Sequence, residues 1–192
     1  SALGDFDNMV IQGRLKNSDI SIDDIGMQLA EVTGDALIAK GLLEASGASA
    51  RLGETTGHDG LLKLGLAENN DTFHLDIILD AQLHEVPTVL KKIIDDGPFI
   101  QELSLIKSIT GTSTARLLLG ESLDELNTSI EFLEMDFEAD YHRVPFPIKI
   151  SHGKLSYQEN LLNGAGLSGT VGSSVFSETS CNADWEKGLK VD

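Results

Sequence analysis

Phe73-His74-Leu75-Asp76-Ile77-Ile78-Leu79-Asp80-Ala81-Gln82-Leu83 decides the fold class. Its odd positions are all apolar and its even positions mostly polar. Successive side chains of a strand point to opposite faces, so a period of two predicts a long, half-buried strand. The same alternation returns in Met135-Asp136-Phe137-Glu138-Ala139-Asp140-Tyr141. It returns again as Val144, Phe146, Ile148 and Ile150, and as Cys181-Asn182-Ala183-Asp184-Trp185-Glu186. Shorter examples are Ile20/Ile22, Ala48/Ala50/Leu52, Leu62/Leu64/Leu66, Ile130/Phe132 and Leu155/Tyr157.

Turn-forming residues separate these runs. They are Lys16-Asn17-Ser18-Asp19, Thr33-Gly34-Asp35, Thr56-Gly57-His58-Asp59-Gly60, Glu68-Asn69-Asn70-Asp71 and Ser151-His152-Gly153. Roughly a dozen strands result, which marks an antiparallel meander. Nineteen glycines and four prolines fit many tight turns and few rigid linkers. No segment reads as an interdomain linker, so residues 1–192 form a single β-rich piece. One stretch breaks the period. Val89, Leu90, Ile93 and Ile94, then Phe99, Ile100, Leu103 and Ile106, recur at helical spacing. Pro87 suits a first helical turn, and Asp95-Asp96-Gly97-Pro98 is a stop and restart. A short helical insertion over 87–106 is predicted, placed to plug one end of the sheet's apolar face.

Composition narrows the function classes. Hydrophobic residues are 41% of the 192, enough for a core, and aromatics only 5%, so aliphatic side chains must build it. The formal charge of −17, from 31 acidic and 14 basic side chains, argues against nucleic acid and against an anionic membrane face. A single cysteine, Cys181, excludes an internal disulfide framework and a multi-thiolate metal site. There is neither a signal-peptide pattern nor a run of about 18 apolar residues. The chain begins Ser1-Ala2-Leu3-Gly4-Asp5 and stops in the strand-like Gly188-Leu189-Lys190-Val191-Asp192, so a soluble fragment of a longer protein is expected.

No catalytic, metal or cofactor site is predicted. Asp76 with Asp80, and Asp136 with Glu138 and Asp140, lie on single strand faces and read as solvated carboxylates. His58, His74, His84, His142 and His152 have no metal-ligand spacing. Gly164-x-Gly166-x-x-Gly169 precedes more strand pattern and no helix, so it is not a dinucleotide fingerprint. Gly111-Thr112-Ser113-Thr114 lacks the lysine of a phosphate loop, and no nucleophile elbow is present. Cys181 alternates with Ala183 and Trp185 and reads as a core residue.

Lys16–Leu52 and Lys149–Trp185 resemble each other. Ser18-Asp19-Ile20-Ser21-Ile22 parallels His152-Gly153-Lys154-Leu155-Ser156-Tyr157, and Gly34–Gly41 parallels Ala165–Gly172. Two such copies would mean a protein built by adding similar sheet units.

Gly34-Asp35-Ala36-Leu37-Ile38-Ala39-Lys40-Gly41-Leu42-Leu43-Glu44-Ala45-Ser46-Gly47-Ala48-Ser49-Ala50-Arg51-Leu52-Gly53, continued in Gly60-Leu61-Leu62-Lys63-Leu64-Gly65-Leu66, resembles the AsmA-like family of Gram-negative bacteria, the group of TamB- and YhdP-type proteins. So does Gly164-Ala165-Gly166-Leu167-Ser168-Gly169-Thr170-Val171-Gly172-Ser173-Ser174. The resemblance covers most of the chain and rests on glycine-punctuated alternation. It implies a long, curved, taco-like or solenoid-like antiparallel sheet with an apolar inner groove. It also implies a periplasmic protein, its parent anchored in the inner membrane, that serves phospholipid movement and outer-membrane maintenance. The family brings no catalytic residues.

An aliphatic, aromatic-poor face suits acyl chains, which need apolar contact and little directional bonding. The groove candidates are Phe73, Leu75, Ile77, Leu79, Ile130, Phe132, Met135, Phe137, Ile148 and Ile150. The same side chains would equally pack a closed sandwich. The expected partners are phospholipid acyl chains, neighbouring repeats of the parent chain and envelope proteins, with no nucleic acid. Two rivals stand beside this non-enzymatic reading: a scaffold that pairs through its sheet edges, and an acid-type hydrolase on a β-solenoid.

Overall fold

The computed structural model describes residues 10–22, 27–67, 70–93, 97–122, 126–158, 161–184 and 188–191. The strands are β1 (Val10–Ile22), β2 (Met27–Ala39), β3 (Leu42–Leu52), β4 (Thr55–Gly65) and β5 (Thr72–Gln82). Two helices follow, α1 (Val86–Ile93) and α2 (Gly97–Ser104). Then come β6 (Ile106–Ser122), β7 (Leu126–Tyr141), β8 (Ile148–Gln158), β9 (Leu161–Val171), β10 (Ser174–Asp184) and β11 (Gly188–Val191). All 11 strands belong to one sheet, in the order of the chain. The predicted mainly β, antiparallel meander with one helical insertion is what the chain forms. Trp185, Glu186, Ile94, Asp95 and Asp96 lie outside the described residues.

Tight hairpins explain the order. Lys40 and Gly41 join β2 to β3 with φ of 52° and 69°. Two positive φ values in a two-residue loop match the twist of the strands they connect. Gly53 (φ 60°) and Gly172 (φ 59°) open the equally short β3–β4 and β9–β10 turns.

Four of the five expected turns are instead interruptions inside strands. Lys16–Asp19 lies within β1, Thr33–Asp35 within β2, Thr56–Gly60 within β4 and Ser151–Gly153 within β8. Only Glu68–Asp71 falls between strands, and there Asn70 N–H donates to Ala67 O at 3.0 Å. Those in β1, β2 and β8 are β-bulges. From Leu15↔Gly34 to Ser18↔Val32 β1 advances by three residues against two on β2, and from there to Ile20↔Leu29 by two against three. β2–β3 slips the same way around Thr33↔Ser49, β8–β9 around His152↔Ser168, and β9–β10 around Thr179↔Leu167. Asn17, Glu31, Gly47, Asp59, Gly166 and Glu178, with φ between 52° and 61°, take the left-handed backbone that such bulges need.

Each bulge moves the apolar set from one parity to the other. In β10, Phe176 is half-buried, and past the bulge so are Thr179 and Cys181, with Ala183 buried. The alternation expected through Val144 and Phe146 does not form. Residues 142–147 are a loop, and β8 starts at Ile148. Pro145 and Pro147 have no N–H to give a ladder.

Contacts divide the chain into two compact units. The first holds Ser1–Leu52, Thr56–Leu79 and Leu117–Thr128; the second holds Gly53–Thr55, Asp80–Arg116 and Ser129–Asp192. Both helices belong to the second. There Leu103 of α2 is buried near Leu90 and Ile106, and Tyr157 is buried beside its register partners Ile130 and Leu162. Ala81, Leu83, Ala115, Met135 and Ala139 are also buried in this unit.

Candidate functional site

Register partners across an antiparallel pair share a face. In the first unit one face is polar. Arg14 holds Asp35 with two bonds, at 2.5 and 2.8 Å. Arg51 reaches Glu31 at 2.7 Å, Lys63 reaches Glu44 at 3.2 Å, and the hydroxyls of Thr33 and Ser49 meet at 2.6 Å. The Asp35 carboxyl is held below its usual range, first by the Arg14 hydrogen bond.

The opposite face is apolar. It carries Ile11↔Ile38, Ile20↔Leu29, Ala36↔Ala45 and Ile38↔Leu43 as cross-strand pairs. Gly57 and Gly60 form its floor under β5. A Cβ on Gly57 would stand 2.7 Å from Cδ1 of Ile77 and 3.3 Å from Cδ2 of Leu79, and one on Gly60 would stand 3.1 Å from Cβ of Ala48. Gly57 and Gly60 have opposite parity yet both stand close to Ile77, and Asp59 between them has a left-handed φ of 53°. Phe73, Leu75, Ile77 and Leu79 are all half-buried here. Among the described residues of this unit, Val32 (8% exposed) is the single buried apolar side chain. In-plane neighbours alone shield a mid-sheet side chain this far, whereas a second layer would take Leu and Ile to full burial.

The other six groove candidates lie in the second unit. Ile130 flanks the buried Tyr157, and Met135 is itself buried, so both belong to that unit's core. Phe137↔Ile150, Ala139↔Ile148 and Phe132↔Leu155 are cross-strand pairs, with Phe132, Phe137, Ile148 and Ile150 half-buried.

A polar latch holds α2 in the second unit, and no motif in the sequence announced it. Tyr141 donates its hydroxyl proton to Glu102 Oε2, and Arg143 donates to both carboxylate oxygens of Glu102. His142 N–H donates to Leu105 O at 2.9 Å. The Arg143 hydrogen bond pulls the Glu102 carboxyl below its usual range against the opposing effect of burial. Burial, then the Glu102 bond, raises the Tyr141 hydroxyl.

Among the described residues, carboxylates gather at one shallow place. A shallow cleft is lined by Asp80, Thr112, Ser113, Glu134 and Asp136, among others. Its three carboxylate residues are exposed, and Asp80 accepts from Thr114 at 2.9 Å. Ser113 is buried, but its hydroxyl donates to Glu134 backbone O at 2.8 Å, so no base activates it. Asp140 accepts from Ser108, and His58 meets Asp59 at 2.8 Å on the surface. No group of His, Cys, Asp and Glu among the described residues is placed to hold a metal ion. Cys181, the register partner of Gly164, is half-buried, and burial pushes its thiol up.

No helix among the described residues is long and apolar enough to cross a membrane. Comparison of the chain with family models, with curated proteins and with solved structures finds no match.

Proposed function

We propose that this is a non-enzymatic cell-envelope protein of the AsmA-like kind, and that the apolar face of its first unit holds phospholipid acyl chains. One observation carries the reading. A face built from Ile, Leu, Phe, Ala and Gly is backed by an ion-paired polar face, yet among the described residues Val32 is the single apolar side chain buried on it. Each methylene taken out of water gains about 0.8 kcal/mol, so six on such a strip gain about 5 kcal/mol without a directional bond. The glycine floor at Gly57 and Gly60 lowers the surface between aliphatic ridges. On this reading the protein works in the periplasm, its parent chain anchored in the inner membrane, toward outer-membrane maintenance. The shared bulge in β1–β3 and β8–β10 supports reading these segments as two copies of one sheet unit.

The test is solvent extraction of the purified protein after incubation with phospholipid, followed by mass spectrometry. Stoichiometric phospholipid is expected. Ile77→Asp with Leu79→Asp should abolish it while the circular dichroism spectrum stays that of the wild type. A clean extract from the wild type overturns the reading.

A second reading is a scaffold that pairs through its edge. β1 ends the strand order and runs for 13 residues, with Val10, Ile11, Leu15 and Ile20 exposed. Such an edge accepts a further strand from a neighbouring repeat or an envelope protein. The exposed carboxylates of the cleft do not support a hydrolase.

A further inference from the structure

The geometry points to a membrane-docking tip in the second unit, formed by the β7–β8 loop and the β9–β10 turn, that seats the protein on the surface of a phospholipid bilayer. Phe146 is 58% exposed between Pro145 and Pro147. Gly172 N–H donates to Pro147 O at 2.9 Å, and a Cβ on Gly172 would stand 3.1 Å from both Cβ and Cγ of Phe146. The turn and the loop are therefore in contact. Val175, just past that turn, is 80% exposed.

Three arguments favour a bilayer over a protein. The first is size. A stable protein contact buries about 800 Å² on each partner, which one Phe, one Val and two prolines do not offer, whereas a bilayer interface receives an apolar side chain without a matching surface. The second is rigidity. Two prolines and the Gly172 bond fix the loop, so little freedom is lost when Phe146 enters the interface. The third is charge. From His142 to Ser177 there is one acidic residue, Glu159, beside Arg143, Lys149 and Lys154, in a chain that carries 31 acids. Lys149, His152 and Lys154 are exposed along β8. Glu138 lies across the ladder from Lys149 and Glu102 holds Arg143, yet within this stretch basic side chains outnumber acidic ones, and that balance suits headgroup phosphates. The net charge of −17 selects a zwitterionic surface over an anionic one.

The inference goes beyond the acyl-chain reading and does not use the apolar face of the first unit. Sedimentation with sucrose-loaded phosphatidylcholine vesicles tests it. The wild type is expected to partition onto the vesicles, and Phe146→Ser with Val175→Ser to weaken partitioning by about tenfold or more. Both residues are exposed, so circular dichroism should show the wild-type fold. The Ile77→Asp, Leu79→Asp variant should dock like the wild type even when it extracts no lipid. Replacing a third of the lipid with phosphatidylglycerol should weaken docking at low salt, and added salt should restore it. A wild type that stays in the supernatant overturns the proposal. So does a tip variant that sediments unchanged, or docking that is lost in the Ile77/Leu79 variant alone.

Discussion

Ile77 lies over Gly57 so closely that a methyl group on the glycine would stand 2.7 Å from Cδ1 of the isoleucine. The glycine lets the aliphatic side chain settle on the sheet where no second layer presses it down. That relationship separates an uncovered face from a packed core, and it sets the first expectation. Ile77→Ala should cost about 1 kcal/mol, well below the 2–5 kcal/mol typical of large-to-small changes in a core. Leu103→Ala, at a buried position of α2, should fall in that larger range. Urea denaturation of the two variants gives the comparison, and equal losses would mean that Ile77 is core.

Gly111 and Gly47 should behave differently although both have positive φ, 109° and 56°. A Cβ on Gly111 would stand 2.2 Å from Asp136 O and 2.8 Å from Phe137 Cα, both backbone atoms of the next strand. A Cβ on Gly47 meets nothing within 4 Å. Gly47→Ala should lose about 1 kcal/mol, the cost of a left-handed residue. Gly111→Ala should lose about 2 kcal/mol or more, or fail to fold, because a strand must move. Thermal denaturation decides.

Lys40 takes a left-handed conformation, φ 52°, that a lysine adopts at a cost. Asn at this place before Gly41 matches the turn. Lys40→Asn should raise stability by about 0.5 kcal/mol. An unchanged or lowered urea midpoint would contradict the assigned turn.

The latch on α2 should fail in acid and weaken in base. Glu102's carboxyl is depressed by Arg143, so its stabilisation is complete above the ordinary glutamate value of about 4.3 and is lost as pH falls through the lower folded value. Tyr141's hydroxyl is raised by burial and by Glu102, so stability is lost as pH climbs from its ordinary value near 10 through the folded one. Glu102→Gln should melt below the wild type near neutrality, and the two melting curves should converge in acid, whereas in strong base the gap should only narrow, because Arg143 stays charged and keeps its bond to Glu102. Calorimetry across pH reads this directly, and a gap that does not vary with pH would mean that the carboxylate charge is immaterial.

The period of two located most strands because their side chains face different media, and the strand over Phe73–Gln82 was legible almost residue for residue. The helical spacing of Val89–Leu103 was legible for the same reason. Turn residues were ambiguous. Asn17, Gly34, Asp59 and Gly153 supply unusual backbone angles, and one chain position uses them equally well to reverse a strand or to bulge it. Strands of 11–17 residues, twice the common length, hid the second use. Val144 and Phe146 alternate correctly and still form no strand, since the neighbouring prolines remove ladder donors. The latch among Glu102, Tyr141 and Arg143 joins a helix to a strand end about 40 positions away, and no local period encodes such a meeting.

The paired bulges also constrain how this chain can change. In the β1–β2, β2–β3, β8–β9 and β9–β10 ladders the one-residue offset is undone within about five positions, so the pairing beyond it continues as if nothing had been inserted. A single codon lost or gained on one strand would turn every later side chain of that strand over, putting lysine and glutamate where leucine belongs. The matching change on the neighbouring strand would cancel the error. Insertions and deletions in this sheet should therefore be inherited in couples, one on each side of a ladder, a form of frame-keeping written in the backbone and not in the genetic code.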